Sequence, residues 1–222
     1  ESRGLGDVYK RQSLVRATKD GYCGYVANEA LSEETTPTHR VTARASHFYE
    51  APDMKSKDLG WLSFGSRLTA VSETATFIET PQGHVPRQHV HGLDATGKDP
   101  ASIAEIFLGT PYLWGGNSHL GIDCSGLVQA ACLACAIPCP GDSDQQASLL
   151  GAELQSTDRL CRNDLIFWQG HVALVCDADT LIHANAGHMA VVFEPVNEAL
   201  TRIEAQGDGA PTGFRRLPVN RD

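Results

Sequence analysis

The sequence predicts an α+β protein: a group of helices followed by an antiparallel sheet, with small all-β barrel structure ahead of them. Three observations carry this. Residues 41–93 are short alternating runs (VTARASHFYEAP, GWLSFGSRLTAV, TATFIET, GHVPRQHV) punctuated by Gly, Pro and Asp. A glycine-rich stretch, GTPYLWGGNSHLG, leads into GIDCSGLVQAACLACAIP, whose apolar residues fall at helical spacing. Four apolar, β-rich runs then follow at short intervals: DLIFWQ, HVALVC, TLIHANA and MAVVFEPV.

Bulk properties narrow the class. The 222 residues are 41% hydrophobic and 20% charged, ordinary for a globular chain. No apolar run reaches the roughly 18 residues of a spanning helix, so no membrane segment is expected. The net charge of −9, with no Lys/Arg cluster, argues against nucleic acid as a partner. Seven Cys is an odd count, and their spacing does not form a secreted disulfide framework, so reduced thiols are expected.

Taken in order, Asp7–Gln12 (DVYKRQ) is what GAT GTG TAT AAG AGA CAG encodes, a transposon end used in preparing sequencing libraries. Residues 1–12 are therefore read as a cloning or assembly scar, and the absence of a leader carries no information. The segment DGYCGYVANEAL repeats the order of PQGHVPRQHV: turn, Gly, β-branched residue, polar turn. Both resemble the ends of bacterial SH3-like domains. Residues 13–35 are then the tail of a truncated first barrel plus its linker, and 36–95 a second barrel. The final domain, 96–222, opens at Asp99-Pro100, a helix start, with Ile103, Ile106 and Phe107 as its apolar stripe. Leu127, Val128, Ala131, Cys132 and Cys135 place a helix over about 125–136, capped by Asp123 or Ser125 and stopped by Pro138. NEALTRIEAQ reads as a further helix and TGFRRL as a closing strand.

Cys124 thus stands at a helix N-terminus. The helix dipole there lowers a thiol pKa, and free amides there can hold an oxyanion. Gly115-Gly116 upstream permits close backbone approach. The expectation is an exposed, activated cysteine; the alternative is a small buried one. A cysteine nucleophile needs a base, and the base an orienting partner. His171 and His183 lie twelve residues apart on adjacent strand runs. Reversal of the chain at Asp177 sets them directly opposite; reversal between Ala178 and Asp179 sets them on different faces. The sequence permits either. Two metal readings are weaker. Cys132, Cys135 and Cys139 with Pro140 match the end of a ferredoxin run, but Gln129 occupies the preceding ligand position. His84, His89 and His91 fall on a barrel's last strand and turn. No metal or other cofactor is expected.

PYLWGG, GIDCSGLV, PGDSDQQ, the DLIFW and GHVALV pair, and LIHANA stand in one order. That order resembles the NlpC-type cysteine peptidases of bacterial peptidoglycan, a papain-like family, over about residues 98–217. SH3-like domains ahead of the catalytic domain are typical of it. With two such domains the resemblance narrows to gamma-D-glutamyl-L-diamino acid endopeptidases (dipeptidyl-peptidase VI), which trim murein peptides of the type L-Ala-gamma-D-Glu-diamino acid. The resemblance implies Cys124 as nucleophile, His171 as general base and His183 as orienter. It places Tyr112 beside the thiol and Asp123, Ser125, Asp142 and Ser143 along the substrate cleft. Asp142 is the candidate grip for the free amine of the substrate, or a helix cap; Asp123 lines the cleft or is only a cap. Two departures matter. Asn163-Asp164 replaces the usual Gly-Asp, which touches a turn, and most of the first barrel is missing, which touches the cleft wall and so activity. An inactive cell-wall-binding module and an acyltransferase are the competing functions. The order Cys, His, His favours the hydrolase. The reduced thiols and recycling-type architecture favour the cytoplasm, with periplasm or exterior left open by the missing start.

Overall fold

The computed structural model describes residues 11–33, 35–155 and 158–219. Most of the expected scar, residues 1–10, lies outside them. The chain divides into two compact units, up to Thr36 and from Pro37 onward.

In the first unit β1 (Gln12–Arg16) and β2 (Cys23–Ala27) form an antiparallel hairpin, followed by a 3-10 turn, Asn28–Ala30. Gly21 makes the reversal at φ +77°, a conformation that glycine enters without strain. Leu14 and Tyr25, opposite each other in register, are both exposed.

The second unit opens with eight strands: β3 (His39–Val41), β4 (Ala45–Tyr49), β5 (Asp58–Ser63), β6 (Arg67–Leu68), β7 (Ser72–Glu73), β8 (Phe77–Thr80), β9 (Gly83–Pro86) and β10 (Val90–Gly92). They form two antiparallel sheets, ordered β10-β3-β6 and β5-β4-β9-β8-β7. Val41, Leu62, Leu68, Ile78, Val85 and Val90 fill the core between them. β8 and β9 also make a hairpin that runs into a 3-10 turn, Arg87–His89. Its entry residue, Pro86 (φ −55°, ψ 126°), matches the corresponding Ala27 (φ −58°, ψ 133°). The repeat legible in the sequence is therefore also a repeat of local backbone.

The remaining elements are α1 (Pro100–Glu105), the short pair β11 (Asn117–Ser118) and β12 (Gly121–Ile122), α2 (Cys124–Ala134), α3 (Ser143–Leu149), β13 (Ala152–Leu154), β14 (Asp164–Trp168), β15 (His171–Val175), β16 (Thr180–Asn185), β17 (Ala190–Pro195), α4 (Val196–Gln206) and β18 (Gly213–Arg216). Asp99 caps α1 through its carboxylate, with Pro100 in the first turn, as its sequence requires. The sheet order is β13-β18-β14-β15-β16-β17, antiparallel throughout. The four apolar runs form the expected meander. The TGFRRL strand does not close its outer edge but returns beside β14. There Arg216 grips the fully buried Asp164 carboxylate at 2.8 and 2.9 Å. β13 was not foreseen.

Both faces of the meander are covered. Leu165, Phe167, Val172, Leu174 and Ile182 pack with α1 and α2 on one face. Ile166, Ala173, Val175 and Leu181 pack with Val196, Ala199 and Ile203 of α4 on the other. This explains why these strands are apolar at every position rather than alternating. α2 ends two residues earlier than its pattern indicated, because Ala136 leaves the helix at φ +59° ahead of Pro138. Asn163, where the resemblance leads one to expect Gly, takes φ +71°, which Asn tolerates. Its side-chain oxygen accepts the Ala101 N–H at 2.8 Å, so the departure tightens a turn and touches no site residue.

Candidate active site

Asp123 begins the site by capping α2. Its Oδ1 accepts the Gly126 N–H at 2.7 Å and the Ser125 hydroxyl at 3.2 Å. Its Oδ2 accepts the Gly115 N–H at 2.8 Å, which ties the glycine-rich loop to the helix start. Both oxygens of Asp123 thus serve the local backbone, the capping alternative read from the sequence. At Gly116 and Gly126 a side chain would have to displace backbone. A Cβ on Gly116 would meet the Gly121 carbonyl at 2.6 Å, and one on Gly126 the Gly116 carbonyl at 2.5 Å.

Cys124, the first residue of α2, is only 6% exposed, which corrects the expectation of an exposed thiol. It is part of the core packed on the α2 face. Burial pushes the thiol up to about 11, and neighbouring Asp123 adds to this; amides of Val172, Ser125 and Cys124 itself, aimed at the sulfur, only partly oppose it. The helix-start effect is present but smaller than the desolvation of a sulfur anion. The thiol donates to the Gly170 carbonyl at 3.9 Å. Gly170 and Val172, the residues on either side of His171, therefore both hold the sulfur.

A two-residue turn, Gln169–Gly170, sets His171 opposite Trp168 at the start of β15. The next reversal is centred on Ala178, with Leu174 opposite Ile182 and Val175 opposite Leu181. Neither register weighed from the sequence occurs. His183 lies beside Ala173, two residues from His171, so the rings share a face and meet diagonally. Nε2 of His171 and Nδ1 of His183 are 3.0 Å apart. Burial, then the nearness of His183 and of the Arg202 guanidinium, lowers His171 to about 3, and burial likewise lowers His183. Both rings are neutral at ordinary pH.

Behind His183 stand two residues that sequence reasoning missed. Nε2 of His183 is 2.9 Å from Glu194 Oε2 on β17. Arg202 of α4 donates to both Glu194 oxygens, each at 2.8 Å. The signal was available: Glu194 is the one acid in the otherwise apolar run AVVFEP, and a buried carboxylate requires a partner. Burial pushes this carboxyl up, but the Arg202 and His183 hydrogen bonds prevail and hold it below the usual carboxylate range.

The other predicted residues lie around this row. Tyr112 is half-buried; burial raises its phenol, as do the adjacent Cys124 and Asp123. Ser125 is buried, and Gln146 of α3 donates to its carbonyl and to that of Pro140, both at 2.9 Å, which moors α3 to the start of α2. Asp142 occupies the N-cap position of α3 without a side-chain cap bond, and Ser143 is the first residue of that helix. The structure brings Cys124, His171, His183, Tyr112, Asp123 and Ser125 into one neighbourhood; Asp142 and Ser143 stand at the N-terminal end of α3.

A thiol at the start of a buried helix, beside two bonded imidazoles on an antiparallel sheet, defines a cysteine-peptidase class of site. Comparison with known proteins makes the class specific. Residues 109–205 match the profile of the NlpC/P60 family. The chain is 33% identical over 203 residues to dipeptidyl-peptidase 6 of Lysinibacillus sphaericus, covering 81% of this chain and 74% of that protein. It is 28% identical over 214 residues to gamma-D-glutamyl-L-lysine dipeptidyl-peptidase of Bacillus cereus (strain ATCC 10987 / NRS 248), covering 81% of this chain and 61% of that protein. A crystal structure of an NlpC/P60 family protein from Bacillus cereus ATCC 10987 superposes with a TM-score of 0.73 at 25% identity, over 93% of this chain and 75% of that one. The chain belongs to the NlpC/P60 family of cysteine peptidases, which are hydrolases.

Proposed function

We propose that the chain cleaves the gamma-D-glutamyl–diamino acid bond of peptidoglycan peptides, with Cys124 as nucleophile, His171 as general base and His183 as its orienter. The observation that carries this reading is the 3.0 Å contact between the two imidazoles, next to a thiol bracketed by Gly170 and Val172. The names of the relatives supply the bond. Tyr112, Asp123, Ser125, Asp142 and Ser143 are assigned to the cleft, Asp123 and Ser125 through the backbone they hold in place.

In the resting site both partners are uncharged, so chemistry begins with proton transfer. His171 takes the thiol proton as the sulfur attacks the gamma-carbonyl carbon. The amides of Cys124 and Ser125, already aimed at the sulfur, hold the oxyanion. The tetrahedral intermediate collapses, the C–N bond breaks and His171 returns its proton to the departing amine. Water, deprotonated by His171, then attacks the thioester; the C–S bond breaks and the thiol recovers its proton.

The same reading takes residues 36–95 as an SH3-like barrel and 13–35 as the end of another, with 96–222 as the peptidase domain. The shared hairpin and 3-10 turn support it, as does the exposed Leu14–Tyr25 pair, which fits the inner face of such a barrel. For the compartment we propose the cytoplasm, on the odd number and irregular spacing of the cysteines in the sequence. The test is mass spectrometry of L-Ala-gamma-D-Glu-diaminopimelate after incubation with the protein and with Cys124→Ala. Expected is cleavage by the parent and none by a folded variant. Undiminished turnover by Cys124→Ala would overturn the assignment.

A further inference from the structure

We infer that Glu194, clamped by Arg202, is a positioning residue that selects the tautomers of both imidazoles and thereby leaves the base nitrogen of His171 bare. The inference rests on the reading of Cys124, His171 and His183 above and adds the part of the row that sets proton direction.

The geometry is a diagonal across three adjacent strands. His171 on β15 is offset by two from the partner of His183 on β16; His183 faces Val192, and Glu194 on β17 is offset by two again. All three therefore share the face that α4 covers, and Arg202 of α4 closes the row. Each contact has the length of a hydrogen bond: 3.0 Å between the rings, 2.9 Å from His183 to Glu194, and 2.8 Å twice from Arg202.

Donor and acceptor bookkeeping then leaves one solution. A guanidinium only donates, and it donates to both Glu194 oxygens, so the carboxylate carries no proton. Nε2 of His183 must therefore hold the hydrogen it shares with Glu194. A neutral His183 then has a bare Nδ1, which accepts the Nε2–H of His171. A neutral His171 is left with a bare Nδ1, the only ring nitrogen outside the row and the one able to take a proton from a thiol. Reverse the polarity at Glu194 and every member flips: His171 would present N–H at Nδ1 and could not act as base. The charged and titratable groups that act on the two rings from outside are His188, in the loop between β16 and β17, and Arg202 from α4; Cys124 is held by Gly170 and Val172, which flank His171.

The decisive measurement needs no substrate. Two-bond proton–nitrogen correlation spectra of the histidine-labelled protein report ring tautomers directly, with His171→Asn and His183→Asn assigning the two signals. At neutral pH both rings are expected as the neutral Nε2–H form. Either ring in the other form overturns the inference. In Glu194→Gln the amide oxygen is expected to turn to Arg202 and its NH₂ to His183, which reverses both tautomers. Turnover should then fall on the order of 10³-fold in kcat, with KM within about twofold, the penalty of a misdirected base. Glu194→Asp, which keeps the anion, should restore turnover to within about tenfold of the parent. Lost turnover with unchanged tautomers overturns the inference and makes Glu194 structural only; if Glu194→Gln does not fold, the parent spectrum decides alone. The Cys124→Ala assay is independent: turnover there sinks the peptidase reading while the spectrum still stands or falls by itself.

Discussion

Cys124 and His171 illustrate two opposing influences on single residues. The helix start favours a thiolate, and a neighbouring imidazole commonly completes an ion pair. Here burial dominates at both groups, moving the thiol up to about 11 and the imidazole down to about 3. The resting pair is therefore neutral, and in the proposed mechanism the sulfur would gain its charge only on attack. Alkylation by iodoacetamide, read at the Cys124 peptide by mass spectrometry, should rise about tenfold per pH unit between pH 7 and about 10. A plateau beginning below about pH 8 would show a preformed thiolate–imidazolium pair and refute the neutral state.

At the scale of elements, the start of α2 is where the architecture is least forgiving. Asp123 gathers the Gly115 and Gly126 amides, and Gly116 and Gly126 touch where a side chain would stand. Inside a helix, Ala ordinarily improves on Gly by about 1 kcal/mol. At Gly126 the added carbon meets backbone, the Gly116 carbonyl at 2.5 Å, which can move only by pulling the loop away. Overpacking costs about 1–3 kcal/mol, and a rigid neighbour puts this case at the upper end. Gly126→Ala is expected to lose about 1–2 kcal/mol net in urea denaturation. A midpoint at or above the parent's would mean that the loop yields freely.

Across the second unit, the eight-strand part (β3–β10) and the helix–sheet part share specific contacts. Phe64 packs edge-on against Phe107 with ring centroids 5.4 Å apart. Ser63 Oγ and His119 Nδ1 are 2.7 Å apart, and Arg44 donates to the Leu108 carbonyl at 3.1 Å. The acid limit of this unit follows from its buried rings. His171 and His183 have folded pKa values below the ordinary 6.5, so the unfolded chain binds protons that the folded one refuses. Their neutrality costs nothing above about pH 6.5; stability is lost as pH falls below it. Glu194, held below its ordinary 4.5, acts in the same direction at lower pH. The thermal midpoint should fall steadily from pH 6.5 to about 4, and His171→Asn should flatten that slope. An unchanged slope in the variant would show that His171 is not the group responsible.

Sequence by itself determined most of the elements and the residue types of the candidate site. Apolar runs with turn residues marked the four-stranded meander, Asp99-Pro100 and Asp123 marked helix starts, and the spacing of Cys124, His171 and His183 marked the candidate site. These are properties of neighbouring residues, which propensity, capping and periodicity report directly. Only the tertiary structure decided the diagonal register of His171 and His183, since Asp-Ala-Asp accommodates several reversals and the packing of both sheet faces selects one. It alone decided that Cys124 is buried, because the covering groups come from the β14–β15 turn, more than forty residues along the chain. It alone joined Glu194 to His183 and Arg202, a match of charge and direction that exists only once three strands and a helix are in place.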